Sequence, residues 1–179
     1  MRFTETQIHG AYIIDIDRRE DHRGFFARSW CQKEFEAHGL VTSFVQANIG
    51  YSHKKGTLRG MHFQSRPYQE VKLVRCTRGR IVDIIIDLRP ESPTHRQWIS
   101  KELTVDNRTM LYIPEGCAHG YQTLEDNTEV VYDTSQFYAP QHATGVLYND
   151  PAFGIEWPLP VAVISEADRN WPRYSGSKD

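Results

Sequence analysis

Residues Leu58–Arg78, LRGMHFQSRPYQEVKLVRCTR, contain two strand-like runs joined by a polar link, Ser65 to Glu70, with Pro67 inside it. A link of that length and composition lets the two runs fold back and face one another. His62 and Lys72 then lie on neighbouring segments, and a base beside a cation is equipment for taking a proton from carbon. Period-two alternation puts Lys72, Val74 and Cys76 on one face and Val71, Leu73 and Arg75 on the other. A lysine on an apolar face either snorkels at an edge or is buried against a partner.

Moving outward, Arg78-Gly79-Arg80 forms a turn into IVDIIIDL, Ile81 to Leu88. There Val82, Ile84, Ile86 and Leu88 share one face, while Asp83 and Asp87 share the other with Ile81 and Ile85. Further strands are expected at Tyr12–Ile16, within Ser43–Ser52, and at Trp98–Val105, Met110–Ile113, around Tyr121, Glu129–Thr134 and Val146–Tyr148. Asp17–Gly24 reads as turn-rich. Short strands punctuated by ESP, DN, PEG, EDN and NDP predict an all-β sandwich or barrel, most naturally a jelly roll. Only short helices are expected. One is capped by Ser29 and closed by Gly39, and the other spans Ser165 to Trp171 ahead of Pro172.

The 179 residues suit one domain, 1–179. A formal charge of -2 with both signs interleaved leaves no basic stripe for a phosphate backbone, so nucleic acid is not an expected partner. No apolar run reaches the roughly 20 residues that span a bilayer. MRFTETQIHG lacks the layout of a signal peptide, so no membrane partner and a cytoplasmic location are expected. Cys31, Cys76 and Cys117 are odd in number and far apart, which suits core packing rather than a disulfide framework or zinc ribbon. The tail, Ser175–Asp179, reads as frayed.

Four further places carry chemistry-bearing side chains. Pro114, Gly116 and His119 have the spacing of a tight turn ahead of a strand. In EVVYDT, Val130, Tyr132 and Thr134 share a face, so Tyr132 is either a packed phenol or one presented to a cavity. Arg23 and Phe26, beside a sharp bend, are either a surface arginine and a core ring or a phosphate and base holder. Asp168 is either a functional carboxylate or the far end of a capping box opened by Ser165. A metal site on His62 and His119 would want three or four nitrogen or oxygen ligands. The sequence lacks a second histidine two residues from His62, though Gln64 and Glu70 are nearby donors.

LRGMHFQ, KLVRCTRG, IIIDLRPESPT, YIPEGCAHGYQTL, EVVY and NDPAFGIEWP, in this order, resemble the cupin-type nucleotide-sugar epimerases typified by dTDP-4-dehydrorhamnose 3,5-epimerase. The resemblance runs from about Asp21 to Asp168 and implies a cupin-type jelly-roll barrel, usually a homodimer, needing neither metal nor organic cofactor. It further implies that His62 is the catalytic base, Asp168 its carboxylate partner, Lys72 the enolate-stabilising cation and Tyr132 the acid on the opposite face. Arg59 and His119 would line the substrate site, with Gln46, Asn48 and Tyr138 also binding substrate. Arg23 and Phe26 would reach the nucleotide, partly across the dimer interface. The implied reaction is epimerisation of a nucleotide-linked 4-keto-6-deoxyhexose at C3, C5 or both, with a metal-dependent cupin as the alternative. The chain departs from the family pattern at Arg28, Asp133, the His142-Ala143-Thr144 run and Ala167, which bears on the identity of nucleotide and sugar.

Overall fold

In the computed structural model, which describes residues 1–176, the expected alternation resolves into a two-sheet barrel. The strands are β1 (Arg2–Glu5), β2 (Tyr12–Asp15), β3 (Arg19–Asp21), β4 (Gly24–Phe26), β5 (Gln46–Ser52), β6 (Leu58–Gln64) and β7 (Lys72–Arg78). They continue with β8 (Arg80–Asp87), β9 (Trp98–Thr104), β10 (Met110–Ile113), β11 (Cys117–Thr123), β12 (Thr128–Thr134) and β13 (Ala143–Gly145). One sheet runs β1-β2-β10-β7-β12-β5 and the other β13-β6-β11-β8-β9, while β3 and β4 form a separate hairpin. The long runs of non-sequential neighbours are the Greek-key crossings of a jelly roll.

The parity of each strand decides what goes between the sheets. Val74, Cys76, Leu111, Ile113 and Val130 from the first sheet meet Ile81, Ile85, Leu103, Cys117 and Tyr121 from the second. Leu73 of β7, and Val71 just before that strand, face outward and are covered by Phe35 of α1 (Gln32–Ala37). Ile84 and Ile86 also face outward, under Phe153, Trp157 and Tyr174 of the C-terminal segment. Strand β8 is therefore apolar on both faces, which is why IVDIII hardly alternates.

Several local features differ from the sequence reading. Helix α1 starts from Cys31, which makes no side-chain cap, rather than from Ser29. The turn that buries Phe35 against Phe3, Phe44 and Tyr112 begins only there. Its end is as expected: Gly39, at φ +68°, and Leu40 donate to the carbonyls of Glu36 and Phe35 in a Schellman closure. The last strand is Ala143–Gly145 rather than Val146–Tyr148, because after pairing with Met61 the chain leaves the ladder and Leu147 bonds to Pro172. Asp17–Gly24 is not all turn. It contributes to the β3–β4 hairpin, where the guanidinium groups of Arg18 and Arg108 lie over the Phe25 ring. Residues 177–179 of the tail read as frayed lie outside the described residues.

Asp87, whose side chain is fully buried at the end of β8, is the main polar anchor of the fold. It accepts from the backbone and guanidinium of Arg89 and from the hydroxyls of Ser92 and Thr94, at 2.5–3.0 Å. Burial alone would oppose ionisation, but these donors outweigh it and bring the carboxyl down to about 2. A carboxylate lowered in this way stabilises the fold above its unfolded pKa of about 4, and that contribution disappears as pH falls through about 2. Asp87→Ala is expected to lower unfolding free energy by about 3 kcal/mol at neutral pH, since it strands buried donors and a guanidinium. In urea titrations the gap from the parent should narrow between about pH 4 and pH 2. Equal midpoints at pH 7 would contradict this.

Candidate active site

The imidazole wall is built first, from a contact only glycine permits. Strands β6 and β11 pair with His62 opposite His119, and the register shifts beside Gly60 and Gly120. A Cβ on Gly60 would lie 2.5 Å from the Gly120 Cα, and Gly60 holds φ +145°. The close approach leaves the Gly60 amide free to donate to Asp168 Oδ2 at 3.3 Å. The other oxygen, Oδ1, meets His62 Nε2 at 2.6 Å and accepts from the Trp171 indole at 3.2 Å. Asp168 sits on α2 (Glu166–Arg169), where its amide donates to Ser165 Oγ, the N-cap. Half of the predicted capping box is thus present: the serine caps the helix, while the carboxylate turns to the histidine. Burial opposes ionisation of Asp168, but His62, the Gly60 amide and Trp171 outweigh it and hold the carboxyl below its usual range. The His62 ring remains 42% exposed, so one edge is open to a ligand.

The facing wall carries the other two groups. Lys72, at the start of β7, is buried, and its Nζ crosses between the sheets to donate to the His62 carbonyl at 3.1 Å. Tyr132 lies on β12 opposite Val74 and Asn48, one diagonal step from Lys72. It packs against the cluster between the sheets. Burial raises the Tyr132 pKa, helped by the nearby Glu70 charge and opposed by Arg59. The phenol is therefore kept as O–H. The Lys72 ammonium thus reaches the His62 main chain across the barrel, and Tyr132 stands beside it on the same sheet.

The remaining predicted binding residues divide into two groups. Arg59 reaches from β6 to the Tyr51 carbonyl and Ser52 hydroxyl of β5, and Gln46 accepts from the Tyr138 amide at 2.6 Å. Gln64 holds the same rim, bonding Tyr68, Phe137 and Ala139 main-chain groups, and leaves the Phe137 and Tyr138 rings exposed. His119 is buried with Nε2 2.7 Å from Asp83 Oδ1, an ion-pair distance without hydrogen-bond alignment. Arg23 and Phe26 stand apart on the β3–β4 hairpin. Arg23 is tied to Asp21, and Phe26, 72% exposed, borders a cleft with Asp17, Arg19, Arg28 and Glu34. No hydrogen bond or ring contact joins either to the barrel lining among the described residues.

The departures from the family pattern also have partners. Arg28 meets Glu34, Asp133 meets Arg75, and His142 contacts Ser65 and stacks at a tilt on Tyr68. Among the described residues, no group of three or more His, Cys, Asp or Glu side chains could hold a metal ion, and both candidate histidines are turned to carboxylates. The sequence reading gave Trp171 no role, and it did not recognise Asp83 as the partner of His119. Asp83 was legible only as an acid sharing a strand face with Ile81 and Ile85, and Trp171 only as the end of a helical turn.

A base oriented by a carboxylate, with a cation and a proton donor opposite, can move a proton between the two faces of a carbon acid. A family model described as dTDP-4-dehydrorhamnose 3,5-epimerase matches residues 5–175. The chain belongs to the dTDP-4-dehydrorhamnose 3,5-epimerase family. It is a carbohydrate epimerase, an isomerase. The dTDP-4-dehydrorhamnose 3,5-epimerase of Pseudomonas aeruginosa is 45% identical over 177 residues, covering 98% of this chain and 97% of that protein. The Bacillus anthracis dTDP-4-dehydrorhamnose 3,5-epimerase, solved with TDP and PPi bound, superposes with a TM-score of 0.94 at 40% identity, covering 97% and 99% of the two chains. A 3′-monoepimerase from Streptomyces bikiniensis, in complex with dTDP-quinovose, superposes at 0.85 with 31% identity, over 94% and 85%. The all-β cupin-type jelly roll implied by the resemblance is the fold of this dTDP-4-dehydrorhamnose 3,5-epimerase family member.

Proposed function

We propose that this chain, as one domain, converts dTDP-4-dehydro-6-deoxy-D-glucose into dTDP-4-dehydro-L-rhamnose by epimerising C3 and C5, without a cofactor. The observation that carries the reading is the 2.6 Å His62–Asp168 contact on one wall, with Lys72 of the other sheet bonded to the His62 carbonyl and Tyr132 on the strand next to Lys72. The C4 ketone acidifies the protons on both neighbouring carbons. His62 takes the proton, the electron pair moves into the C4 carbonyl, and Lys72 meets the resulting enolate oxygen. Asp168 fixes the imidazole and stabilises its charged form. Tyr132 returns a proton to the opposite face, which inverts the carbon.

Arg59, His119, Gln46, Asn48 and Tyr138 form the substrate-binding lining of this reading. Arg23 and Phe26 complete the nucleotide end of a partner's site in a homodimer, which accounts for a hairpin that holds them clear of their own barrel. A cytoplasmic location agrees with a nucleotide-sugar substrate. The likeness to a 3′-monoepimerase favours a second reading, inversion of one carbon only on a related nucleotide sugar.

Enzyme incubated in heavy water with dTDP-4-dehydro-6-deoxyglucose is expected to incorporate deuterium at C3 and C5, counted by mass spectrometry. Label at one carbon alone selects the second reading. No label with the dTDP, CDP or GDP sugar would remove both.

A further inference from the structure

Glu70 stands two residues before Lys72, in the segment that leads into β7, and is buried, while Val71 between them joins the outer cluster. Its side chain is only 6% exposed, and Oε1 lies 3.1 Å from the Lys72 Nζ. The same ammonium donates to the His62 carbonyl at 3.1 Å. Glu70 Oε2 is buried with no hydrogen-bond donor, so this lysine is the charge that makes a carboxylate tolerable there. A lysine stem has four flexible bonds and wanders unless it is tethered. Here it is held from both sides, by a carboxylate from the segment just before its own strand and a carbonyl of the opposite sheet. These contacts engage at most two of its three N–H groups, leaving one for an oxygen in the barrel.

We propose that Glu70 is a positioning residue for Lys72, fixing the ammonium so that its remaining N–H meets the substrate's C4 oxygen as that oxygen becomes an enolate. This rests on the reading of Lys72 as the enolate-stabilising cation. Glu70 touches no reacting atom; it acts by holding Lys72 where charge develops, an effect confined to the transition state.

Two variants separate charge from shape. Glu70→Gln keeps the volume and an acceptor oxygen but loses the charge, and Glu70→Ala loses both. The expected order of kcat is parent, then Glu70→Gln down about 10-fold, then Glu70→Ala down about 100-fold, as for small misplacement of a catalytic group. KM and dTDP affinity should stay within about two-fold of the parent, because the interaction matters only once the enolate forms. A purely structural role would instead move KM and dTDP affinity together with kcat. Nitrogen NMR of the lysine side chains gives a readout independent of turnover: the Lys72 N–H signal should be protected from water in the parent and lost in Glu70→Ala. Turnover of Glu70→Ala within two-fold of the parent, or an unchanged Lys72 signal, overturns the proposal. If the parent itself exchanges no deuterium, the assigned reaction fails, and the NMR comparison alone decides whether Glu70 positions Lys72.

Discussion

Alanine in place of His62 is expected to stop deuterium entering the sugar at both carbons, with a rate loss of about 10²-fold to 10⁴-fold, while dTDP affinity stays near that of the parent. The size follows from the geometry. His62 carries the 2.6 Å contact to Asp168, and no second base stands at its place, since His119 is buried against Asp83. Binding is spared because the imidazole is half open and ties no rim loop: the Gln64 and Gln46 contacts that hold residues 137–139 do not involve it. Deuterium exchange followed by mass spectrometry, beside calorimetric titration of dTDP, reads both quantities. Retention of exchange would mean another group takes the proton. Loss of dTDP binding in parallel would mean the ring is a structural part of the nucleotide site.

Tyr132→Phe is expected to divide two events that His62→Ala stops together. Removal of the C–H proton depends on the imidazole and ammonium and should continue, so label still enters. Inversion needs a donor on the opposite face, and net epimer formation should fall by about 10²-fold or more. The buried phenol is kept protonated by its surroundings, as a donor must be. The substitution removes one oxygen from a ring packed against Val74 and its cluster, so little stability should be lost. Label entering with retained configuration is the diagnostic result. Equal loss of exchange and inversion would assign the phenol to orientation of the sugar, and equal survival of both would free it of any role in the reaction.

What the sequence made legible was whatever alternation alone determines. Parity placed Lys72 with Val74 and Cys76, and Asp83 with Ile81 and Ile85, and both sets face between the sheets. The Pro114-Gly116-His119 spacing marked the start of β11, where Gly116 holds φ +75°. Legibility ended where a side chain had two local uses. Asp168 fits a helix cap as well as a partner for a histidine, and only the approach of His62 across 106 residues of chain shows where its carboxylate turns. The residues alone favoured the cap, and the family resemblance pointed to the pair. The β3–β4 hairpin escaped notice for a different reason. Its six residues are all exposed, so no apolar face imprints a period on them. Glu70 was visible only as a spare oxygen donor, because only the folded path of the chain ahead of β7 brings its carboxylate to Lys72 rather than to either histidine.

The two halves of the His62–Asp168 pair come from distant parts of the chain, and the second is fixed by a short helix beside the last described residues. During synthesis the barrel strands leave the ribosome well before that carboxylate does. A nascent molecule can therefore close its walls before the segment that carries Asp168 packs over Met61 and Ala118 and brings the carboxylate to His62.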